Sequence, residues 1–170
     1  MRIFLIGLTG SGKTTLGKQL AAQLKVPFVD LDEYVVDKVQ MTIAQIFAQK
    51  GEDYFRVIEA ECLREVCKMK EAIVSTGGGA ACFHDNMTVM NVSGITVFLH
   101  VPIQAISKRL WNQPHREQRP MIADKTYDQL VQFLHSLLEK RIPYYTEAKV
   151  TLHGEDITVW KIVDELNELD

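Results

Sequence analysis

Long apolar runs are missing from this sequence. No stretch approaches the roughly 20 residues that cross a bilayer, and the short apolar start lacks a signal-peptide cleavage pattern. The expectation is therefore a cytoplasmic protein without membrane association. Cysteine is scarce as well. Cys62, Cys67 and Cys82 form no C-x-x-C pair and leave an odd count, which argues against a disulfide framework or a zinc site and for reduced thiols. Positive charge is not in excess: 19 Lys and Arg against 22 Asp and Glu give a net charge of −3. A general nucleic-acid or anionic-membrane binder is thereby disfavoured, and any positive site must be local. The five histidines never fall at i, i+3 or i, i+4, so they show no metal-ligand pattern. Repeats, low-complexity blocks and linker-like shifts are absent too, so residues 1–170 read as one domain.

What is present begins with Gly7-Leu8-Thr9-Gly10-Ser11-Gly12-Lys13-Thr14, a match to G-x-x-x-x-G-K-[ST]. The run Arg2 to Ile6 before it reads as a buried strand. After it, Leu16, Leu20 and Leu24 place an apolar stripe on a helix from Thr14 to Leu24. A glycine loop that feeds a helix N-terminus turns unpaired amides and the positive end of the helix dipole toward one concavity, which suits a polyphosphate. Lys13 can reach the β/γ-phosphates and the Thr14 hydroxyl can ligate Mg²⁺.

Further along, the pattern predicts strands over Val26–Asp30, Ala72–Thr76, Ile95–His100 and Val150–Leu152. It predicts helices over 33–39, from Thr42 to Gly51, over 52–69, 84–92, from Pro102 as first helical residue, over Thr126–Arg141 and over Ile157–Leu166. Trp111 to Ile122 has no clear period. Strands alternating with helices imply an α/β fold, a five-stranded parallel sheet with helices on both faces. Right-handed crossovers bring the strand C-terminal ends to one rim.

Three further signals fall on that rim. Asp30 and Asp32 follow the second strand, where carboxylates can hold Mg²⁺ through water and accept a proton from an attacking hydroxyl; helix N-capping is the competing reading. Gly77-Gly78-Gly79 follows the third strand and permits close backbone approach to a ligand, more glycine than a plain turn needs. Among the arginines, Arg56, Arg109, Arg119 and Arg141 stand out, because a guanidinium fork binds carboxylates in a way lysine cannot copy. A solvated helix face is the competing reading for Arg56 and Arg141. The segment holding Arg116 and Arg119 reads as a mobile flap carrying cations, over about 111–122.

Taken together, Gly7 to Thr14, Phe28-Val29-Asp30-Leu31-Asp32, Gly51-Glu52-x-x-Phe55-Arg56-x-x-Glu59, Thr76-Gly77-Gly78-Gly79, Arg119-Pro120 and Arg141-x-Pro143-x-Tyr145 resemble the shikimate kinases, in the nucleoside-monophosphate-kinase-like P-loop group. The resemblance spans nearly the whole chain. It implies transfer of the ATP γ-phosphoryl group to the 3-hydroxyl of shikimate, in aromatic amino acid biosynthesis, by a monomer with a substrate-binding region at about 31–60 and a lid at about 111–122. It assigns Lys13, Asp32 and Arg119 to catalysis, with Asp32 as the candidate base. ATP would be held by Gly10, Ser11, Gly12, Lys13, Thr14, Thr15, Arg109 and Arg119, with Arg109 stacked on adenine. Shikimate would be held by Asp32, Arg56, Gly77, Gly78, Gly79 and Arg141, the two arginines gripping its carboxylate. Mg²⁺ would sit on Thr14, with Asp30 joining through water. The sequence departs from the family at Leu31, between the acidic residues, and over His153–Asp156, which lacks the basic residue some members place beside adenine. Arg116 receives no role.

Three other readings compete. A gluconate-type kinase keeps fold and ATP but changes the acceptor; Arg56, Arg141 and the triple glycine favour shikimate. A nucleotide-binding regulatory module without catalysis is opposed by the retention of Lys13, Thr14, Asp30 and Asp32. A nucleic-acid-acting P-loop protein is opposed by the acidic balance.

Overall fold

In a computed structural model of the chain, residues 1–114 and 122–169 are described. Five strands, β1 (Arg2–Ile6), β2 (Phe28–Asp30), β3 (Ala72–Ser75), β4 (Ile95–His100) and β5 (Val150–His153), form one sheet in the order β2-β3-β1-β4-β5. Every pairing is parallel. β1 lies at the centre, with Leu5 in register with Ser75 on one side and Val97 on the other. Ile3, Phe4, Leu5 and Ile6 are all fully buried, which is why a continuous apolar run could serve as the middle strand of a sheet covered on both faces. From β1 the chain crosses to the edge strand β2, returns to β3 and then passes over β1 to β4 and β5 on the other side, so the crevice of a doubly wound sheet opens at the C-terminal end of β1.

Eight α-helices are described: α1 (Lys13–Leu24), α2 (Leu31–Val39), α3 (Ile43–Lys50), α4 (Glu52–Val66), α5 (Asn86–Ser93), α6 (Ile103–Trp111), α7 (Tyr127–Tyr145) and α8 (Val159–Asn167). Thr42 and Thr126 each close a capping box, with Gln45 and Gln129, at the starts of α3 and α7. None of these helices is long and apolar enough to cross a membrane.

Several boundaries differ from the sequence pattern, each for a local reason. α2 starts at Leu31 rather than 33 because Asp30, the last strand residue, is also its N-cap and accepts from the Asp32 and Glu33 amides. Pro102 is the N-cap of α6 rather than its first helical residue. Trp111 is the last residue of α6 and not part of an aperiodic segment. After the triple glycine, Ala80–Cys82 forms a 3₁₀ turn that no periodicity could announce in three residues. The largest difference is in α7, which runs four residues past Arg141 with Pro143 inside it. Proline removes a backbone donor and disfavours a helix interior, but the last turn is held by Tyr145. That side chain is fully buried, its ring 4.9 Å from Phe98 on β4.

Candidate active site

The loop after β1 and the start of α1 form the first half of the site. Gly12 is the N-cap of α1 with φ of 95°, in the left-handed region, and no side chain caps the helix. The first-turn amides therefore face the cavity, as an anion site requires. Lys13 is buried on the cavity floor and donates to the carbonyls of Gly7 and Leu8, both at 2.7 Å. Burial lowers its pKa to about 8, with the nearby charge of Arg141 acting in the same direction and those of Asp32 and Asp30 opposing.

Beside it is a corner of oxygen atoms. The Thr14 hydroxyl donates to Asp30 Oδ2 at 3.0 Å and lies 3.2 Å from the Ser75 hydroxyl. Asp30 is thus the N-cap weighed for it and, in addition, accepts from Thr14. Among the described residues no group of three or more His, Cys, Asp or Glu side chains converges. One carboxylate and hydroxyls suit a hard cation that keeps water and phosphate oxygens as its other ligands. Ser75 was missed in the sequence; its signal is the first hydroxyl after the apolar run Ala72-Ile73-Val74.

The triple glycine organises the other half. None of the three has a positive φ, so the backbone conformation does not demand glycine. Space does. A Cβ on Gly77 would lie 2.9 Å from Asp32 Oδ1 and 3.1 Å from Glu59 Oε1. One on Gly78 would lie 2.9 Å from Arg141 Nη1, and one on Gly79 2.6 Å from Arg56 Nη2. Four side chains from three different helices thus converge on one short turn. The Arg56 and Arg141 head groups lie on the same side of the molecule, near enough to Lys13 and Asp32 for their charges to be felt there.

Arg56 is 8% exposed, so it is no solvated helix face. Its guanidinium pairs with Glu59 at 2.9 Å and Glu52 at 3.2 Å and lies over the rings of Phe83, at 4.3 Å, and Phe55. Glu59 is fully buried, and its Oε1 has no partner among the described residues. Burial raises its pKa against the pull of Arg56. Glu59 was only a motif letter in the sequence; its three-residue offset from Arg56 on a helix was the available clue. Asp32, in the first turn of α2, has its pKa raised by burial and by Asp30, with Lys13 and Arg56 opposing. Tyr145 donates its hydroxyl to the Gly78 carbonyl, a contact made possible by the helical turn past Pro143.

A second cavity adjoins the first across the loop. Arg109 borders it and donates to the carbonyls of Gly10 at 3.2 Å and Glu155 at 2.6 Å. Ser11 and Thr15 line it as well, and Thr15 reaches both cavities. Arg116 and Arg119 lie outside the described residues, as does most of the expected lid.

A generic nucleotide site needs only the loop and its helix. Here the same rim also carries two arginines, Arg56 buried and Arg141 half-buried, and a carboxylate poised beside them, and that combination is characteristic of a P-loop kinase, a phosphotransferase for a small acidic acceptor. Comparison with known proteins narrows the class. The family model described as shikimate kinase matches residues 9–169. A shikimate kinase from Bacteroides thetaiotaomicron is 42% identical over 170 residues, covering 99% of this chain and 96% of that one. The crystal structure of shikimate kinase from that organism superposes with a TM-score of 0.91 at 41% identity, covering 99% and 97% of the two chains. One from Acinetobacter baumannii, in complex with shikimate, superposes with a TM-score of 0.86 at 31% identity, covering 99% and 91%. The chain belongs to the shikimate kinase family.

Proposed function

We propose that this protein transfers the γ-phosphoryl group of ATP to the 3-hydroxyl of shikimate, a step of aromatic amino acid biosynthesis. The observation that carries the reading is the convergence of Asp32, Arg141 and Arg56 on Gly77, Gly78 and Gly79 beside the Lys13 loop. Arg56 and Arg141 present two forks to the carboxylate, and the Gly78 backbone donates to the ring hydroxyls. Asp32 receives the reacting hydroxyl. Its raised pKa, from burial and Asp30, makes it a better acceptor than an exposed carboxylate. Glu59 and Phe83 lock the Arg56 head group before substrate arrives, which keeps its ordering from weakening binding.

The amides of Gly10, Ser11, Gly12, Lys13, Thr14 and Thr15 receive the phosphates, and the Lys13 ammonium follows the charge as it moves onto the bridging oxygen. Thr14 would hold Mg²⁺, with Asp30 joining through water, and the ion would supply neutralisation of the phosphate oxygens when bound. Arg109 stacks on adenine. Arg119 takes its charge-stabilising role on the family resemblance alone. The chain acts as one kinase domain, a cytoplasmic monomer with no nucleic-acid or membrane partner, in which residues 31–60 form the acceptor region. Coupled ADP formation tests the reading: turnover with shikimate and none with gluconate is expected, and the opposite pattern would overturn it.

A further inference from the structure

Gln113 follows α6, four residues beyond Arg109, with its backbone donating to Leu110. It lines both cavities, and it is the one such residue contributed from outside the Gly10–Thr15 segment. Its Oε1 is buried and has no hydrogen-bond partner among the described residues. A buried carboxamide oxygen without a donor is unfavourable by itself and is explained most simply by a ligand that supplies one. The two cavities correspond to phosphates on one side and base on the other, so the part of a nucleotide that crosses their boundary is the sugar. Phosphate oxygens at neutral pH carry no proton to give. Ribose hydroxyls do.

We infer that Gln113 reads the sugar of the nucleotide: its carboxamide oxygen accepts a hydrogen bond from a ribose hydroxyl, which makes the site selective for ribonucleotides over deoxyribonucleotides. This inference rests on the nucleotide-site reading above and adds to it a specificity determinant. A site built to accept from a hydroxyl disfavours the analogue that lacks it, because the protein atom is then left unpaired.

The test compares kcat/KM for ATP, 2′-deoxy-ATP, 3′-deoxy-ATP and inosine triphosphate at saturating shikimate, with ADP and 2′- and 3′-deoxy-ADP binding measured by calorimetry. Wild type should prefer ATP over one deoxynucleotide by about tenfold, the size of one hydrogen bond. Gln113→Leu should bring ATP down to that deoxynucleotide's level, leave the deoxynucleotide unchanged and leave the KM for shikimate unmoved. Gln113→Glu keeps an acceptor and should keep the preference ratio even if every nucleotide binds more weakly. Should Gln113→Leu fold poorly, Gln113→Asn, which shortens the arm, carries the same expectation of a lost ratio. Equal losses for all nucleotides in Gln113→Leu or Gln113→Asn, or no sugar preference in wild type, would overturn the inference. A loss that tracks inosine triphosphate would move Gln113 to the base amine and overturn it likewise. Failure of wild type to bind ADP would overturn the nucleotide site and this inference together. ADP binding without shikimate turnover would overturn only the acceptor, and the sugar preference would still be read from ADP against its deoxy forms.

Discussion

Gly79→Ala isolates the role of Arg56. Gly79 has φ of −92° and ψ of −10°, a conformation open to alanine, so the substitution adds one methyl group and no backbone strain. That methyl would sit 2.6 Å from Arg56 Nη2 and 2.9 Å from both Cζ and Nη1, where ordinary contact starts at 3.4 Å. The guanidinium must recede by roughly 1 Å. It has little freedom to do so, with Glu59 and Glu52 on its nitrogens and the Phe83 ring against its face. An off-rotamer arginine costs about 0.5–1.5 kcal/mol, largely offset by about 0.4–1 kcal/mol from the stiffer unfolded chain. The Tm should therefore move by no more than about 3 °C. Binding is less forgiving. Loss of one charge-assisted hydrogen bond, about 1.5–3 kcal/mol, raises the KM for shikimate about 10- to 100-fold, while the KM for ATP stays within about twofold. Steady-state coupled assays with each substrate varied, together with a thermal melt, decide it. An unchanged KM for shikimate at unchanged Tm would refute the claim that Arg56 grips the substrate from this position.

The neighbouring glycines should respond differently: Gly77→Ala, directed at Asp32, should lower kcat by about 10²-fold through misplacement of the reacting hydroxyl, and single-turnover kinetics would read it. Arg141→Ala should raise the KM for shikimate at least tenfold more than that for ATP, as removal of ground-state binding does; equal effects on both would remove Arg141 from the carboxylate grip. The pH profile follows from two shifted groups. Asp32 must be ionised, and its pKa is raised, so kcat/KM should fall on acidification at a pH above the ordinary aspartate range. Lys13 must be protonated, and burial brings its pKa to about 8, so kcat/KM for ATP should fall as pH rises through about 8. Bound phosphates favour the charged lysine, so in kcat the same limb should move to higher pH; a flat kcat/KM for ATP between pH 8 and 10 would contradict it. Tyr145→Phe removes the only described donor to the Gly78 carbonyl and should destabilise the fold by about 1–3 kcal/mol, read as a fall in urea midpoint.

Local chemistry explains what could be read along the chain. The Gly7–Thr14 loop, the five strands, the cap Thr42 and the helix start at Thr126 are consequences of neighbours in sequence: glycine conformations, period-3.6 stripes, side chains that satisfy amides three residues on. Their positions therefore survive folding almost unchanged. The extension of α7 through Pro143 was not legible, because proline's local penalty points the other way and is outweighed by burying Tyr145 against Phe98. The reason for three glycines was likewise hidden, since their φ angles are ordinary and the need arises from Asp32, Arg141 and Arg56 arriving from separate helices. Glu59, Ser75 and Gln113 share that origin: an unpaired or shared polar atom has meaning only once its surroundings exclude water. Sequence thus dictated the elements and the phosphate loop, whose interactions span a few residues. The acceptor half depended on packing, because guanidinium and carboxylate groups that lie up to 109 positions apart along the chain, Asp32 to Arg141, meet only when the parallel sheet gathers its strand ends at one rim.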